Sequence, residues 1–417
     1  MAKKLIIAAP SARGYAQAAK ACGYQAITLD AFADEDTQRA SLQTFKLNMN
    51  AQGVDAADFK RVFSSINLDE VAGFLYGSLF DNCPDLLAWV AHKIRLVGNT
   101  PEVLKQCKDF SFFKLLDDLE ILHPEVLFDE QNHKSSFPRK RESTLTLKTN
   151  TKKMDSRLRT TRALRFSKCS STCKVVCGND GEVKDWLTKT IGGSGGLHIR
   201  AANLADLHFA KWGDYFQRKI DGRSISMLFV ADGNTAHLIG FNEQLVASTA
   251  EFPYRFAGAV GGIALPLNTH AAFEHIAQQL TSALSLRGIN SLDAILDGET
   301  LWVLELNPRL SATFHLYENL FSLHIQACAG DLAGFSMPKN TSKAQLILYA
   351  DDALEISADF AWPSWLADIP AVDAAKLSVK IEKNAPICTV LAEAQTAELA
   401  HELVLQGAEK LREMLLK

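Results

Sequence analysis

The stretch LDAILDGETLWVLELNPR, residues 292–309, constrains the fold more than any other part of the chain. Asp297-Gly298 is a two-residue turn signature between apolar runs, so residues 292–297 and 301–306 are expected to pair as a hairpin. On such a hairpin Asp293 and Glu305 lie on opposite strands, and Asn307, two residues past Glu305, shares its face. Three oxygen donors then converge, a set that suits Mg²⁺. Arg309 follows on the same side, where it could clamp a phosphate through two parallel hydrogen bonds. The plainer alternative is a solvated hairpin with a turn aspartate and a surface arginine. Against it, an unpaired Glu305 at the end of so apolar a strand would be costly.

The second feature is IGGSGG, residues 191–196, directly after a short strand-like run that carries Lys189. No Lys-Ser/Thr follows, so it is not a Walker A loop. A mobile glycine flap fits better, its backbone N–H groups closing over phosphates and Lys189 reaching in from the strand. Flap, lysine, oxygen ligands and arginine together make a site suited to Mg-ATP.

Residues 4–9 read as a buried strand, 13–22 as a helix and 25–30 as a second strand followed by Asp30, Asp34 and Asp36. The first turn, APSARGY, lacks G-x-G-x-x-G, which argues against a dinucleotide site. The run VAGFLYGS ends in Gly77 and Ser78, a strand end that a ligand could approach. A helix is expected from Pro101 to about Leu119 with Thr100 as N-cap. Residues 185–191 read as a strand, and Asp221-Gly222 and Asp232-Gly233 mark turns between further strands. A helix over 270–286 carries Phe273, Ile276, Leu280 and Leu284 on one face. The tail from about 340 alternates short strands and closes in an amphipathic helix, 394–416.

The chain has 417 residues, 47% hydrophobic and 22% charged, enough for two or three domains with their own cores. No apolar run reaches the length of a membrane span. The opening MAKKLIIAAPSA has too short an apolar core for a signal peptide and reads as a first strand. The eight cysteines are scattered, which points to a reducing cytoplasm. The net charge of −4 conceals an asymmetry. Residues 131–178 hold 13 Lys/Arg and 2 Asp/Glu, leaving 31 basic and 46 acidic residues elsewhere. That segment lacks sustained helical or strand periodicity and reads as a disordered or loosely attached insertion. With Phe137 and Phe166 its only aromatic residues, it is a poor nucleic-acid surface. SSFPRKREST is similar to the translation of a dispersed bacterial DNA repeat. Cys169, Cys173 and Cys177, spaced C-x3-C-x3-C, match no zinc spacing of the C-x2-C type.

The order of lysine, glycine loop, QRKIDG and D…ELNPR resembles the ATP-grasp superfamily over most of the chain outside the insertion. The 12-residue step from Asp293 to Glu305, with Asn307 and Arg309 beyond, carries the most specific part of the likeness. The resemblance implies an α/β (α+β) chain with the ATP-grasp fold. Residues 1–100 would be a Rossmann-like pre-ATP-grasp domain, 101–335 the ATP-grasp domain and 336–417 a small β-rich C-terminal domain. It also implies ATP and Mg²⁺ (with Mn²⁺ as a substitute) as cofactors. Asp293, Glu305 and Asn307 would bind the metal, and Lys108 and Lys189 the nucleotide. Gly192, Gly193, Gly195 and Gly196 would form the flap, and Gln217, Arg218, Lys219 and Ile220 the adenine-reading hinge. Arg309 and Lys189 would act on the transferred phosphoryl group.

The chain departs from the family in having Gln217 for a frequent Glu, Ser224 for the acidic ribose ligand and Thr190 for a common proline. The tail resembles the C-terminal domain of biotin-carboxylase-like members. The whole chain looks most like carboligase-type proteins linked to tetrahydromethanopterin C1 metabolism. The implied activity is an ADP-forming carboxylate–amine ligase. The alternatives are a bicarbonate-activating carboxylase and a non-catalytic ATP-binding scaffold. Arg255, in EFPYRFAGAVGG, is a candidate clamp for the substrate carboxylate, and His198 and Arg200 stand near the flap. The partners implied are a small carboxylate and a nucleophile, not a membrane or nucleic acid, and a homodimer is compatible with the likeness.

Overall fold

The computed structural model describes residues 3–50, 53–129, 166–168, 182–203, 213–336, 341–373 and 375–416. Most of the basic segment 131–178, with Cys169, Cys173 and Cys177, lies outside the described residues.

The chain opens with β1 (Lys4–Ala9), α1 (Arg13–Ala21), β2 (Gln25–Asp30), α2 (Glu35–Ala40) and β3 (Gln43–Lys46). A small pair, β4 (Met49–Asn50) and β5 (Gly53–Val54), precedes α3 (Ala56–Ser64) and β6 (Val71–Tyr76). The main strands form a parallel sheet in the order β3-β2-β1-β6. β1 is central and nearly all buried, which is why it reads as an unbroken apolar run rather than an alternating one. Asp30 has a structural task. Its carboxylate accepts from the N–H groups of Ala12, Phe32 and Ala33 at 2.6, 2.8 and 2.7 Å, fixing the turns after β1 and β2. After β6 a short 3-10 turn, Ser78–Phe80, delivers Asp81 to the crevice at the carboxyl ends of β1 and β6.

Next come α4 (Pro84–Ala91), α5 (Pro101–Cys107) and α6 (Ser111–Asp118). Thr100 caps α5 as expected, its hydroxyl accepting from Val103 N–H, with Pro101 in the first turn. The single helix expected to run to Leu119 is broken at residues 108–110. The break lets Leu104 bury against the parallel sheet while Phe112, Phe113 and Leu116 bury against a second core. It also leaves Lys108 at the end of α5 with its side chain free to turn into the site.

β7 (Val126–Asp129), β8 (Phe166–Lys168), β9 (Glu182–Thr190), β10 (Arg200–Asn203) and β11 (Asp214–Arg218) form an antiparallel sheet in the order β10-β9-β11-β7-β8. β8 belongs to the basic segment, so that segment supplies a strand where none was expected.

The largest sheet is built from β12 (Arg223–Asp232), β13 (Ala236–Val246), β14 (Phe256–Gly261), β15 (Arg287–Asp297) and β16 (Thr300–Asn307). The helices α7 (Leu267–Leu284) and α8 (Leu320–Cys328) pack on it. The tail adds β17 (Ser342–Tyr349), β18 (Leu354–Ser357), β19 (Leu366–Ala367), β20 (Ser378–Ile381), β21 (Pro386–Ala394) and α9 (Ala397–Leu415). The strand order is β16-β15-β12-β13-β14-β17-β21-β19. The tail therefore extends the central sheet through the β14–β17 pairing, while β18 and β20 make a sheet apart. On α7, Phe273, Ala277, Leu280 and Leu284 enter one core with Phe229, Leu292 and Val303. Truncating Phe273 there would cost about 3–5 kcal/mol.

Candidate functional site

The expected hairpin forms one residue later than the Asp297-Gly298 signature places it, with Gly298 and Glu299 in the turn. β15 and β16 pair with Asp293 opposite Glu305 and Ser291 opposite Asn307, the turn falling at Asp297–Thr300. A register shift follows the Asp293–Glu305 pair, at the point where the strand bears its polar residues. The Asn307 amide nitrogen donates to Asp293 Oδ2 at 3.1 Å and to Glu305 Oε1 at 3.0 Å. Ser291 Oγ donates to the other Asp293 oxygen at 3.1 Å. Burial and then the charge of Glu305 raise the Asp293 pKa. For Glu305 burial acts the same way, but Lys108, the Asn307 hydrogen bond, Arg309 and Lys189 outweigh it and keep the group ionised. The Glu305 side chain retains 42% exposure, so water reaches this end of the site.

Three cations surround the carboxylates. Lys108 Nζ donates to Asn307 Oδ1 at 2.7 Å and to Glu305 Oε2 at 3.4 Å. It also lies 3.6 Å from Asp81 Oδ2. Burial disfavours its charge, but Asp81 and Glu305 raise its pKa in spite of that. Lys189, on β9, is buried, and its electrostatic neighbours are Glu305 and Asp293. Burial prevails there and lowers its pKa. Arg309, also buried, departs from expectation. Its Nε and one Nη donate to the two oxygens of Asp81 at 3.1 and 2.7 Å, and the same Nη donates to Asn307 Oδ1 at 2.8 Å. The fork expected for a phosphate is thus held by a carboxylate. Asp81 is the site residue the sequence reading missed; it stands 228 positions from Arg309, and only the crevice position after β6 hinted at it.

Lys189 pairs in register with Tyr215, and Leu187 with Gln217, so these four side chains share one face of the β9–β11 sheet. That face looks toward Glu305, which adds to burial in raising the pKa of Tyr215. Gln217 is 1% exposed, and among the described residues its amide nitrogen has no partner, leaving an uncompensated buried donor. The hinge expectation needs correction in part. The N–H groups of Arg218 and Lys219 are taken by the carbonyls of Glu125 and Asp185, at 2.8 and 2.7 Å, and cannot read a base as donors. Lys219 carries an ion pair to Asp221, and Ile220 is half-buried beside it.

The glycine loop is docked rather than open. Phe256 N–H donates to Gly195 O at 2.9 Å. A Cβ on Gly192 (φ +70°) would meet Asn82 Cα and the Asp81 carbonyl oxygen, each at 2.7 Å. Gly196 (φ +72°) abuts the Tyr254 carbonyl. His198 sits behind Gly193, and burial pushes its pKa down to about 4 against the pull of Glu305, so the ring is neutral near pH 7. Arg200 pairs with Asp214, which also accepts from Thr190.

Arg255 is not displayed as a carboxylate clamp. It is 4% exposed, its guanidinium carbon lies 3.9 Å from the Tyr349 ring centroid, and it donates to the carbonyls of Ala247 and Asn384. It ties the loop before β14 to the tail. A groove of about 1000 Å³ runs between α1–α2 and residues 358–372 and contains none of the hairpin residues. Among the described residues no cluster of three or more His, Cys, Asp or Glu could hold a metal. Any ion here would rely on two carboxylates and an amide. No helix among the described residues is long and apolar enough to cross a membrane.

Comparison with known proteins fits this geometry. Residues 152–313 match the model of an ATP-grasp domain. An uncharacterized protein of Methanocaldococcus jannaschii is 27% identical over 237 residues, 55% of this chain; the chain spans about half, 56%, of that protein's length. The biotin carboxylase domain of Hydrogenobacter thermophilus 2-oxoglutarate carboxylase superposes with a TM-score of 0.65 at 12% identity, covering 97% of this chain and 88% of that one. N5-carboxyaminoimidazole ribonucleotide synthetase of Thermotoga maritima gives 0.58 at 14%, covering 98% of both. Phosphoribosylamine–glycine ligase of the same organism gives 0.62 at 12%, covering 98% and 96%. At such identities the likeness speaks for the fold: this chain carries an ATP-grasp domain and has the ATP-grasp fold that these carboxylases and ligases share.

Proposed function

We propose that this protein is an ATP- and Mg²⁺-dependent ligase. It activates a carboxylate as an acyl phosphate, which an amine or similar nucleophile then attacks. The observation that supports this reading best is the gathering of Lys108 and Lys189 around Asp293, Glu305 and Asn307, beside the docked glycine loop. The donor set fits Mg²⁺ or Mn²⁺, being hard oxygens with few protein ligands. The Asn307 amide now directs its nitrogen between the two carboxylates, where it stands in for a cation. A bound ion would take that place, with the amide turned to offer its oxygen. When bound, the metal neutralises phosphate charge and polarises the phosphorus centre.

The protein's own groups would do the rest. A substrate carboxylate oxygen bonds to the γ-phosphorus, the bond to the bridging oxygen breaks, and ADP leaves. The amine then bonds to the acyl carbon, phosphate departs with the electron pair, and the amine loses a proton. Lys108 and Lys189 stabilise charge on the transferred group, and Arg309 does so from its place on Asp81. The loop Gly192–Gly196 excludes water, which would otherwise hydrolyse the acyl phosphate. Gln217, whose amide nitrogen has no partner among the described residues, would meet the base, with the Arg218 and Lys219 N–H groups already engaged elsewhere. In its finer form the reading places the reaction in the biosynthesis of a C1-carrier cofactor, on the strength of the sequence resemblance.

Hydroxylamine tests the central step. With Mg-ATP, pooled acids and hydroxylamine in place of the amine, an acyl hydroxamate should form together with ADP and phosphate. Hydroxamate accompanied by AMP and pyrophosphate would refute the acyl-phosphate route. A second reading, a bicarbonate-activating carboxylase, draws on the likeness to a biotin carboxylase domain solved with MgADP and bicarbonate. ADP release that requires bicarbonate and an added acceptor would favour it.

A further inference from the structure

Asp81 stands outside every ligand set considered so far, yet three features of the site meet at it. Its side chain is 1% exposed and holds both Nε and Nη of Arg309 in a two-point contact. Lys108 lies against the same carboxylate at 3.6 Å. Its backbone carbonyl, with Asn82 Cα, forms the surface on which Gly192 rests. The residue belongs to the turn after β6, whereas Arg309 follows β16 and Gly192 follows β9.

We propose that Asp81 is a positioning residue: it squares Arg309 and Lys108 to the transferred phosphoryl group and provides the seat of the glycine loop, at a cost in nucleotide affinity. The inference rests on the reading of the site as a Mg-ATP site. A two-point carboxylate contact fixes the plane of a guanidinium as well as its position. With Nε and one Nη so engaged, the arginine cannot swing with the ligand and stays aimed. The same negative charge competes with phosphate oxygens for Lys108 and Arg309, so its presence weakens ground-state binding of the nucleotide. Weaker binding with better orientation is the pattern of a group that favours the transition state over the ground state.

Asp81→Asn separates these effects. In the full-length protein it should bind Mg-ATP tighter by about threefold or more, measured by calorimetry. Its ADP release should fall by about 100-fold, the order of loss that follows from misplacing a positioned group by roughly 1 Å. A structural role alone would lower both together. Asp81→Asn with both quantities at wild-type values, or with both reduced, overturns the proposal. Two buried cations lose a counter-charge in that variant, so Asp81→Glu is measured beside it. Glutamate keeps the charge, so affinity should stay at wild type, but its extra methylene displaces the carboxylate and ADP release should still fall. Asp81→Glu with wild-type turnover would refute positioning. Wild-type protein that binds no Mg-ATP would instead overturn the reading of the site, and this inference with it.

Discussion

Two neighbouring glycines provide a test of whether the docked loop is the working conformation. Gly195 and Gly196 have nearly the same φ, +67° and +72°, in the left-handed region. An alanine at either position carries the same intrinsic strain, about 1 kcal/mol, or roughly a fivefold loss of the docked form. Their surroundings differ. A Cβ at 195 meets nothing within 4 Å, whereas one at 196 overlaps the Tyr254 carbonyl and lies 2.8 Å from its carbon. To relieve that overlap the loop must retreat by about 1 Å, a misplacement that can cost around 100-fold in rate. Gly195→Ala should therefore lose about fivefold in ADP release from Mg-ATP, and Gly196→Ala about 100-fold. Neither should lower the melting temperature appreciably, because both positions lie outside the hydrophobic cores. Limited proteolysis across residues 191–198 provides a second readout: Gly196→Ala should be cut faster than Gly195→Ala, with and without Mg-ATP. Equal losses in the two variants would refute the argument that docking against Tyr254 matters.

Glu305→Gln should abolish turnover while shifting the melting temperature by only a few degrees, since this side chain keeps 42% exposure; full activity would remove the metal-site claim. Asp34 is a prediction about pH. Burial, then Asp368, Asp30 and Asp36, raise its pKa to about 8 against the opposing pull of Arg13, and one of its oxygens has no partner among the described residues. The folded protein thus holds a proton that the unfolded chain releases near pH 4, so stability falls as pH rises from about 4 to 8. Asp34→Asn should flatten that fall, gaining on the order of 1–3 kcal/mol at pH 8 relative to pH 5 in urea titrations; an unchanged pH dependence would contradict it. Arg255→Lys should lower stability by about 1–2 kcal/mol through loss of the contact with Tyr349 and leave the KM for the acid unchanged. A change in KM alone would restore the clamp reading.

The site was legible in the sequence where chemistry and local geometry coincide. Asp297-Gly298 between apolar runs marks the hairpin, but the pairing of Asp293 with Glu305 also needs the register shift beside Asp293, which the side-chain period of two does not foretell. What escaped depends on contacts far apart in the chain. The break at residues 108–110 is silent because the apolar spacing of α5 continues into α6, although Leu104 buries against the parallel sheet while Cys107 and the apolar face of α6 enter a second core. Asp81 is one aspartate after a turn until β1 and β6 bring it to Arg309. Nothing local signals that β17 will pair with β14. Arg255 beside a glycine stretch looked like a ligand clamp because the sequence does not show Tyr349 and Asn384 waiting for it.

The identity of the nucleotide product tests the central claim most directly. Purified protein is incubated with Mg-ATP and pools of acids and amines, with Glu305→Gln as the control. The account predicts ADP and phosphate, appearing only with a productive acid–amine pair and not in the control. AMP and pyrophosphate, or ADP formed equally by Glu305→Gln, would contradict it.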